Sequence, residues 1–169
     1  FPISVLTGRK YLMEQFESEE CFLSASYATE KASINAALKT LEILERDNVI
    51  GYVWKMGGML KEGIARCIEK NNLRNIMQIV GLAPMTHIIF SDYEDITVND
   101  IKSYIQQECA RMGVLFVGYH HTCFEHKTGD IEFTLKVYDE VFSMLSEALS
   151  DRSVVGKLAG KPICAFGVR

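Results

Sequence analysis

No apolar run in this chain approaches the ~18 residues that a membrane-spanning helix needs, so no such helix is expected in it. Basic residues form no stripe, and the formal net charge is -4, which argues against nucleic acid as the main partner. Cysteines are few and scattered. Cys21, Cys67, Cys109, Cys123 and Cys164 make an odd set with no CxxC pair. That fits reduced, mostly buried thiols in a cytosolic protein. Internal repeats, low-complexity tracts and linkers are also absent. So is an initiating methionine: the chain opens on Phe1-Pro2-Ile3-Ser4-Val5-Leu6-Thr7-Gly8-Arg9. Ile3, Val5 and Leu6 ahead of the Thr7-Gly8 breaker read as a short buried strand closed by a turn. The expectation is a piece of a longer polypeptide, cut just before Phe1.

What is present is a globular composition. The 169 residues are 48% hydrophobic and 24% charged, which suits one soluble domain of ordinary size. Arg9 to Phe16 reads as a short helix, Glu17 to Glu20 as a solvated turn and Cys21 to Thr29 as a loop. Ile34, Leu38, Leu41 and Leu44 then recur at helical spacing up to Asp47-Asn48. A second helix carries Val49, Val53, Met56, Leu60, Ile64 and Cys67, and stops at Asn71-Asn72. The Gly57-Gly58 pair inside it costs about 1 kcal/mol per glycine relative to alanine, so a close approach of another backbone is expected there.

Ile76 to Leu82 and Thr86 to Phe90 read as two strands joined at Ala83-Pro84. Thr97-Val98-Asn99-Asp100 resembles a capping box with Asp in place of Glu. It opens a helix bearing Ile101, Ile105, Cys109 and Met112, with Gly113 as its stop. Val114 to Phe116 is expected as a strand and Gly118 to Lys127 as a polar loop. Thr128 is expected to cap a last helix that buries Ile131, Leu135, Tyr138, Phe142, Leu145 and Leu149, with Asp130 in its first turn. The order of elements predicts an α+β fold with a small antiparallel sheet and several helices packed on it.

Three places invite a chemical reading. Tyr119-His120-His121-Thr122-Cys123 suggests a metal or a Cys–His nucleophile. Zinc needs three or four ligands of compatible geometry, and neighbouring histidines on an extended chain point apart. A nucleophilic thiol needs a cation or helix terminus beside it and an orienting group for its base, and the sequence shows neither. A polar loop lining a pocket is the simpler reading, and no metal is expected. Gly57-Gly58 with Gly63 lacks the Lys-Ser/Thr ending of a phosphate loop. Leu23-Ser24-Ala25-Ser26-Tyr27-Ala28-Thr29 places hydroxyls and backbone N–H groups just before a helix start. That arrangement suits an anion, although an ordinary serine-bearing cap loop reads the same way.

At this loop and around it the chain resembles a known family. Phe1 to Arg9 is similar to the strand that follows the cofactor lysine of class III pyridoxal-phosphate aminotransferases, nearest to the glutamate-1-semialdehyde aminomutase group. Ser24-Ala25-Ser26-Tyr27-Ala28-Thr29-Glu30 and the helix from Ala32 to Leu44 look like the family's Ser-Thr-Thr-Phe-Gly-Gly loop and its alanine-rich helix. Gly113-Val114-Leu115-Phe116, Asp130-Ile131 and Tyr138-Asp139-Glu140-Val141 are similar to its closing strand, histidine-containing loop and final helix.

The resemblance implies the C-terminal domain of a fold-type I enzyme. Residues 1–28 would be a remnant of the cofactor-binding large domain with its phosphate loop, and residues 29–169 the small domain. The implied cofactor is pyridoxal 5'-phosphate, which acts in such enzymes through a lysine Schiff base. The loop's hydroxyl and N–H would bind the phosphate of the neighbouring subunit in a homodimer. By position that role falls on Ser26, with Ala25 beside it. Ala28 and Thr29 stand where the family has two glycines, which alters how closely the backbone can approach.

No catalytic residue is assigned within the chain. Lys10, Lys31 and the other lysines fall at positions that do not match and are expected on the surface. The parent would transfer an amino group on a small molecule of amino-acid or amino-sugar type. The chain alone is expected to lack the cofactor and the reaction, and to need the larger domain as its partner. The alternative is a stand-alone, non-catalytic α+β binding or assembly module.

Overall fold

A computed structural model describes residues 1, 3–18, 21, 26–27 and 30–163 of the chain. The chain divides into two compact units, Phe1–Val49 and Ile50–Arg169.

In the first unit a short helix α1 (Lys10–Met13) runs on into a 3-10 turn over Glu14–Glu17. Helix α2 follows over Lys31–Arg46 and ends at Asp47. Asn48 then takes a positive φ of 46°. Asparagine tolerates the left-handed region better than most residues, so the break falls where its short side chain allows it. The opening segment departs from its sequence reading. Residues 3–9 form neither strand nor helix, and Ile3, Val5 and Leu6 are exposed. A strand needs a neighbour for its backbone N–H and C=O groups, and none of the described residues supplies one.

The second unit holds the core. Helix α3 (Val49–Lys70) buries Met56, Leu60, Ile64 and Ile68 along one stripe. Strands β1 (Met77–Leu82) and β2 (Met85–Phe90) form a hairpin around Ala83-Pro84, with Met77 opposite Phe90 and Leu82 opposite Met85. Helix α4 (Val98–Arg111), strand β3 (Tyr119–His121) and helix α5 (Thr128–Ser150) follow. The sheet is antiparallel throughout, in the order β1-β2-β3. Its inner face carries Met77, Ile79, Thr86, Ile88 and His120, packed with Ile101, Tyr104, Ile105, Tyr138, Val141, Phe142 and Leu145 from α4 and α5. Each large apolar side chain so buried contributes about 1.5–3 kcal/mol.

Small residues set how closely these elements approach. A Cβ on Gly57 would collide with the Ala83 carbonyl and Pro84 of the hairpin turn, so the glycine admits that turn onto α3. Gly63 does the same for Leu135 of α5, whereas a Cβ on Gly58 would meet nothing within 4 Å. The capping box at α4 is present. Thr97 N–H donates to the Asp100 carboxylate at 2.8 Å, and Asp100 N–H to Thr97 Oγ1 at 3.3 Å.

Two sequence expectations are corrected in this unit. Val114 to Phe116 is not a strand. Phe116 is buried, but pairing with β2 begins only at Gly118, whose carbonyl accepts from Ile88 N–H at 2.9 Å. Gly118 has a φ of 86°, and this turn delivers the extended chain to the sheet edge. The third strand therefore lies inside the stretch expected as a polar loop. Thr128 is the first helical residue of α5 rather than its cap. Asp130 takes up the N–H of Lys127 at 2.7 Å instead.

Candidate functional site

The loop ahead of α2 is described only in part. Ala25 lies outside the described residues. Ser26 and Tyr27 form an exposed turn, and Glu30 N–H donates to the Tyr27 carbonyl at 3.1 Å. The Glu30 side chain caps the helix by accepting from the N–H groups of Ala32 and Ser33. Those bonds, the Ser33 hydroxyl first, hold its carboxyl below the usual carboxylate range. The helix end expected to offer free donors to an outside anion is thus already occupied by a carboxylate. An anion at this loop would have to use the Ser26 hydroxyl and the turn's own N–H groups.

The second candidate is a buried polar chain in the second unit. Thr86 Oγ1 lies 3.2 Å from His120 Nδ1, and His120 Nε2 lies 2.8 Å from the Tyr138 hydroxyl. Strand register makes the first contact, because Thr86 sits directly opposite His120. Helix α5 supplies the third member. The chain holds three protons and two hydrogen bonds, so one hydroxyl proton has no acceptor within it. Thr86 is sealed in the core at 1% exposure. Tyr138 lines a cavity of about 190 Å³ together with Leu60, His121, Thr122, His126 and Asp130. Tyr138 is nearly as buried as Thr86, at 2% exposure, and the His120 tautomer sets which hydroxyl donates to the ring.

Burial sets the protonation of this buried polar triad. Burial, followed by the neighbouring His121 and His87, pushes the His120 imidazole down to about 4. Burial pushes the Tyr138 phenol up. The cysteine does not complete a nucleophile. His126 Nδ1 accepts from the backbone N–H of Cys123 at 3.1 Å, not from its thiol. Among the described residues no three His, Cys, Asp or Glu side chains converge as a metal-binding set. No helix among them is long and apolar enough to cross a membrane.

The described residues do not by themselves form a cradle for pyridoxal phosphate. A lysine that holds such a cofactor works in a dry cleft that lowers its pKa. Every lysine here is exposed or half-exposed, including Lys10 and Lys31. Lys61 is spent on the Gly81 carbonyl at 2.6 Å, and hydrogen bonding to Asp139 raises the pKa of Lys70. Among the described residues of the loop ahead of α2, Ser26 offers an exposed hydroxyl.

The fold is shared with part of a larger solved structure. The solved structure of the PLP internal aldimine form of FumI from Sphingopyxis sp. MTA144 matches with a TM-score of 0.64 at 23% identity, over 78% of this chain and 31% of that one. No family model matches. In sequence the chain is similar to the 3-aminobutyryl-CoA aminotransferase of Cloacimonas acidaminovorans, 25% identical over 151 residues, covering 88% of this chain and 36% of that protein. It is also similar to the glutamate-1-semialdehyde 2,1-aminomutase of Methanosphaera stadtmanae, 26% identical over 157 residues, covering 86% and 36%. The corresponding enzyme of Methanococcus maripaludis is 27% identical over 127 residues, covering 75% and 27%. The chain spans about a third of the length of the curated relatives it matches. These findings bear out the resemblance to the C-terminal portion of class III pyridoxal-phosphate aminotransferases and aminomutases.

Proposed function

We propose that this chain is the C-terminal part of a class III pyridoxal-phosphate-dependent aminotransferase or aminomutase, and that it carries the small domain but not the reaction centre. The observation that carries the reading is the alignment of 88% and 86% of this chain with enzymes of these two activities. On this reading residues 1–28 belong with the cofactor-binding domain and residues 29–169 form the small domain. Ala25 and Ser26 contact the cofactor phosphate of a neighbouring subunit in a homodimer. The lysine that holds the cofactor lies in a segment preceding Phe1. The whole enzyme acts in the cytoplasm on a small molecule of amino-acid or amino-sugar type.

The source transcript tests this. An open reading frame that runs into Phe1 from a lysine-bearing strand is the expected result. A start codon placed directly before Phe1, with no such frame upstream, would overturn the reading and favour a non-catalytic module.

A further inference from the structure

Strand β1 is an edge of the sheet, and among the described residues no strand pairs with its other side. The register fixes which groups face outward. Ile76 C=O accepts from Ser91 N–H at 2.9 Å. Alternate residues Gln78, Val80 and Leu82 therefore turn their backbone groups toward β2, and Met77, Ile79 and Gly81 turn theirs away. Two outward groups are occupied: Met77 N–H donates to the Leu73 carbonyl at 2.9 Å, and the Gly81 carbonyl accepts from Lys61 Nζ at 2.6 Å. The Met77 carbonyl, both groups of Ile79 and the Gly81 N–H have no partner among the described residues. A cavity of about 520 Å³ runs beside them, lined by Ala65, Arg66, Ile68 and Glu69 of α3 and by Arg74.

Such an edge is a template for one more strand, and proteins usually block it with a charge or a bulge. Here Lys61 guards only the Gly81 end. The rim is basic although the chain as a whole is acidic, at -4. Arg66 meets its nearest carboxylate, Glu62, only at 4.0 Å, and both side chains are well exposed. Arg74 is held by Glu69 at 2.7 Å. Two guanidiniums and one ammonium thus stand over the edge against two carboxylates. A strand laid here would find an apolar floor in Ile68 and Ile79, main-chain partners at Ile79, and at Arg66 a guanidinium whose ion pair with Glu62 is long and exposed, so a carboxylate of the strand can compete for it.

We propose that the β1 edge binds an extended acidic segment of a partner protein by strand addition. Main-chain hydrogen bonds to Met77, Ile79 and Gly81 supply affinity, and a carboxylate at Arg66 supplies selectivity. This site is independent of the amino-transfer reading and stands or falls separately from it.

The test is amide hydrogen exchange on the full chain with two probes, acetyl-Val-Asp-Val-Glu-Val-amide and acetyl-Val-Lys-Val-Lys-Val-amide. The acidic peptide is expected to slow exchange at Ile79 and Gly81 by about tenfold or more at saturation, and the basic one to leave both unchanged. Arg66→Glu with Arg74→Glu, both at exposed positions, should weaken the acidic peptide about tenfold. Ile79→Pro removes the outward donor without deleting a ladder bond and should abolish the effect, with unchanged slow exchange at Ile88 reporting that the fold persists. Equal slowing by both peptides, or no slowing at millimolar peptide, would overturn the proposal. So would protection of Ile79 without peptide: growth with protein concentration would mean that a second copy covers the edge, and persistence at dilution that the chain covers it itself.

Discussion

At the scale of single residues, burial and local space decide more than residue type. Gly57 and Gly58 are neighbours in one helix with opposite surroundings. Gly57→Ala should destabilise by about 1–3 kcal/mol, because its methyl must displace the Ala83-Pro84 turn. Gly58→Ala should be neutral or stabilise by up to about 1 kcal/mol, since only helix propensity changes. Urea unfolding of the pair checks this, and equal effects would contradict the packing argument. His120 carries a pH dependence. Its imidazole titrates near 4 in the folded chain and near 6.5 when exposed, so the unfolded state binds the extra proton between those values. The neutral ring's contribution is therefore complete above pH 6.5 and is lost as pH falls toward 4, a change of roughly 3 kcal/mol from this group alone. His120→Asn should flatten that part of the stability–pH curve, which thermal melts across the window would record.

At the scale of elements, what could be read early was whatever is local in sequence. The Thr97–Asp100 capping box is a four-residue signal and stands as read. Thr97→Ala should cost about 1 kcal/mol, measurable by chemical denaturation, with Asp92 still accepting Val98 N–H at 2.7 Å. The α3 stripe and the β1–β2 hairpin were legible for the same reason, and the need for a close backbone approach at Gly57 was legible from its cost. The misreadings lie where pairing at a distance decides. Val114 to Phe116 and the opening Ile3, Val5 and Leu6 have strand-like composition, yet only Tyr119–His121 finds a partner edge. The Thr86–His120–Tyr138 chain joins residues 34 and 18 positions apart. Tyr138 was legible as a core residue and His120 as part of a pocket lining. Their mutual bond depends on how α5 lies on the sheet, which no local pattern encodes. At the Ser26 loop the hydroxyl was legible, but Glu30's occupation of the helix end was not, because a glutamate ahead of a helix reads equally well as a solvated charge.

At the scale of the whole molecule, the second unit exposes apolar side chains on the sheet face opposite the core. Leu82, Met85, Ile89 and Tyr119 lie there, and Leu115 and Val117 are exposed in the segment leading to β3. Apolar surface of this kind favours association. The chain should therefore show a mass that rises with concentration in light scattering, and Met85→Glu with Ile89→Lys should suppress the rise. A constant monomer mass would count against it. On the proposed reading, this chain carries the small domain of an amino-transferring enzyme and the cofactor lysine lies elsewhere. Incubation with pyridoxal phosphate, borohydride reduction and peptide mapping by mass spectrometry test it most directly. Weak labelling spread over exposed lysines is the expected result. Stoichiometric labelling of one particular lysine would contradict it.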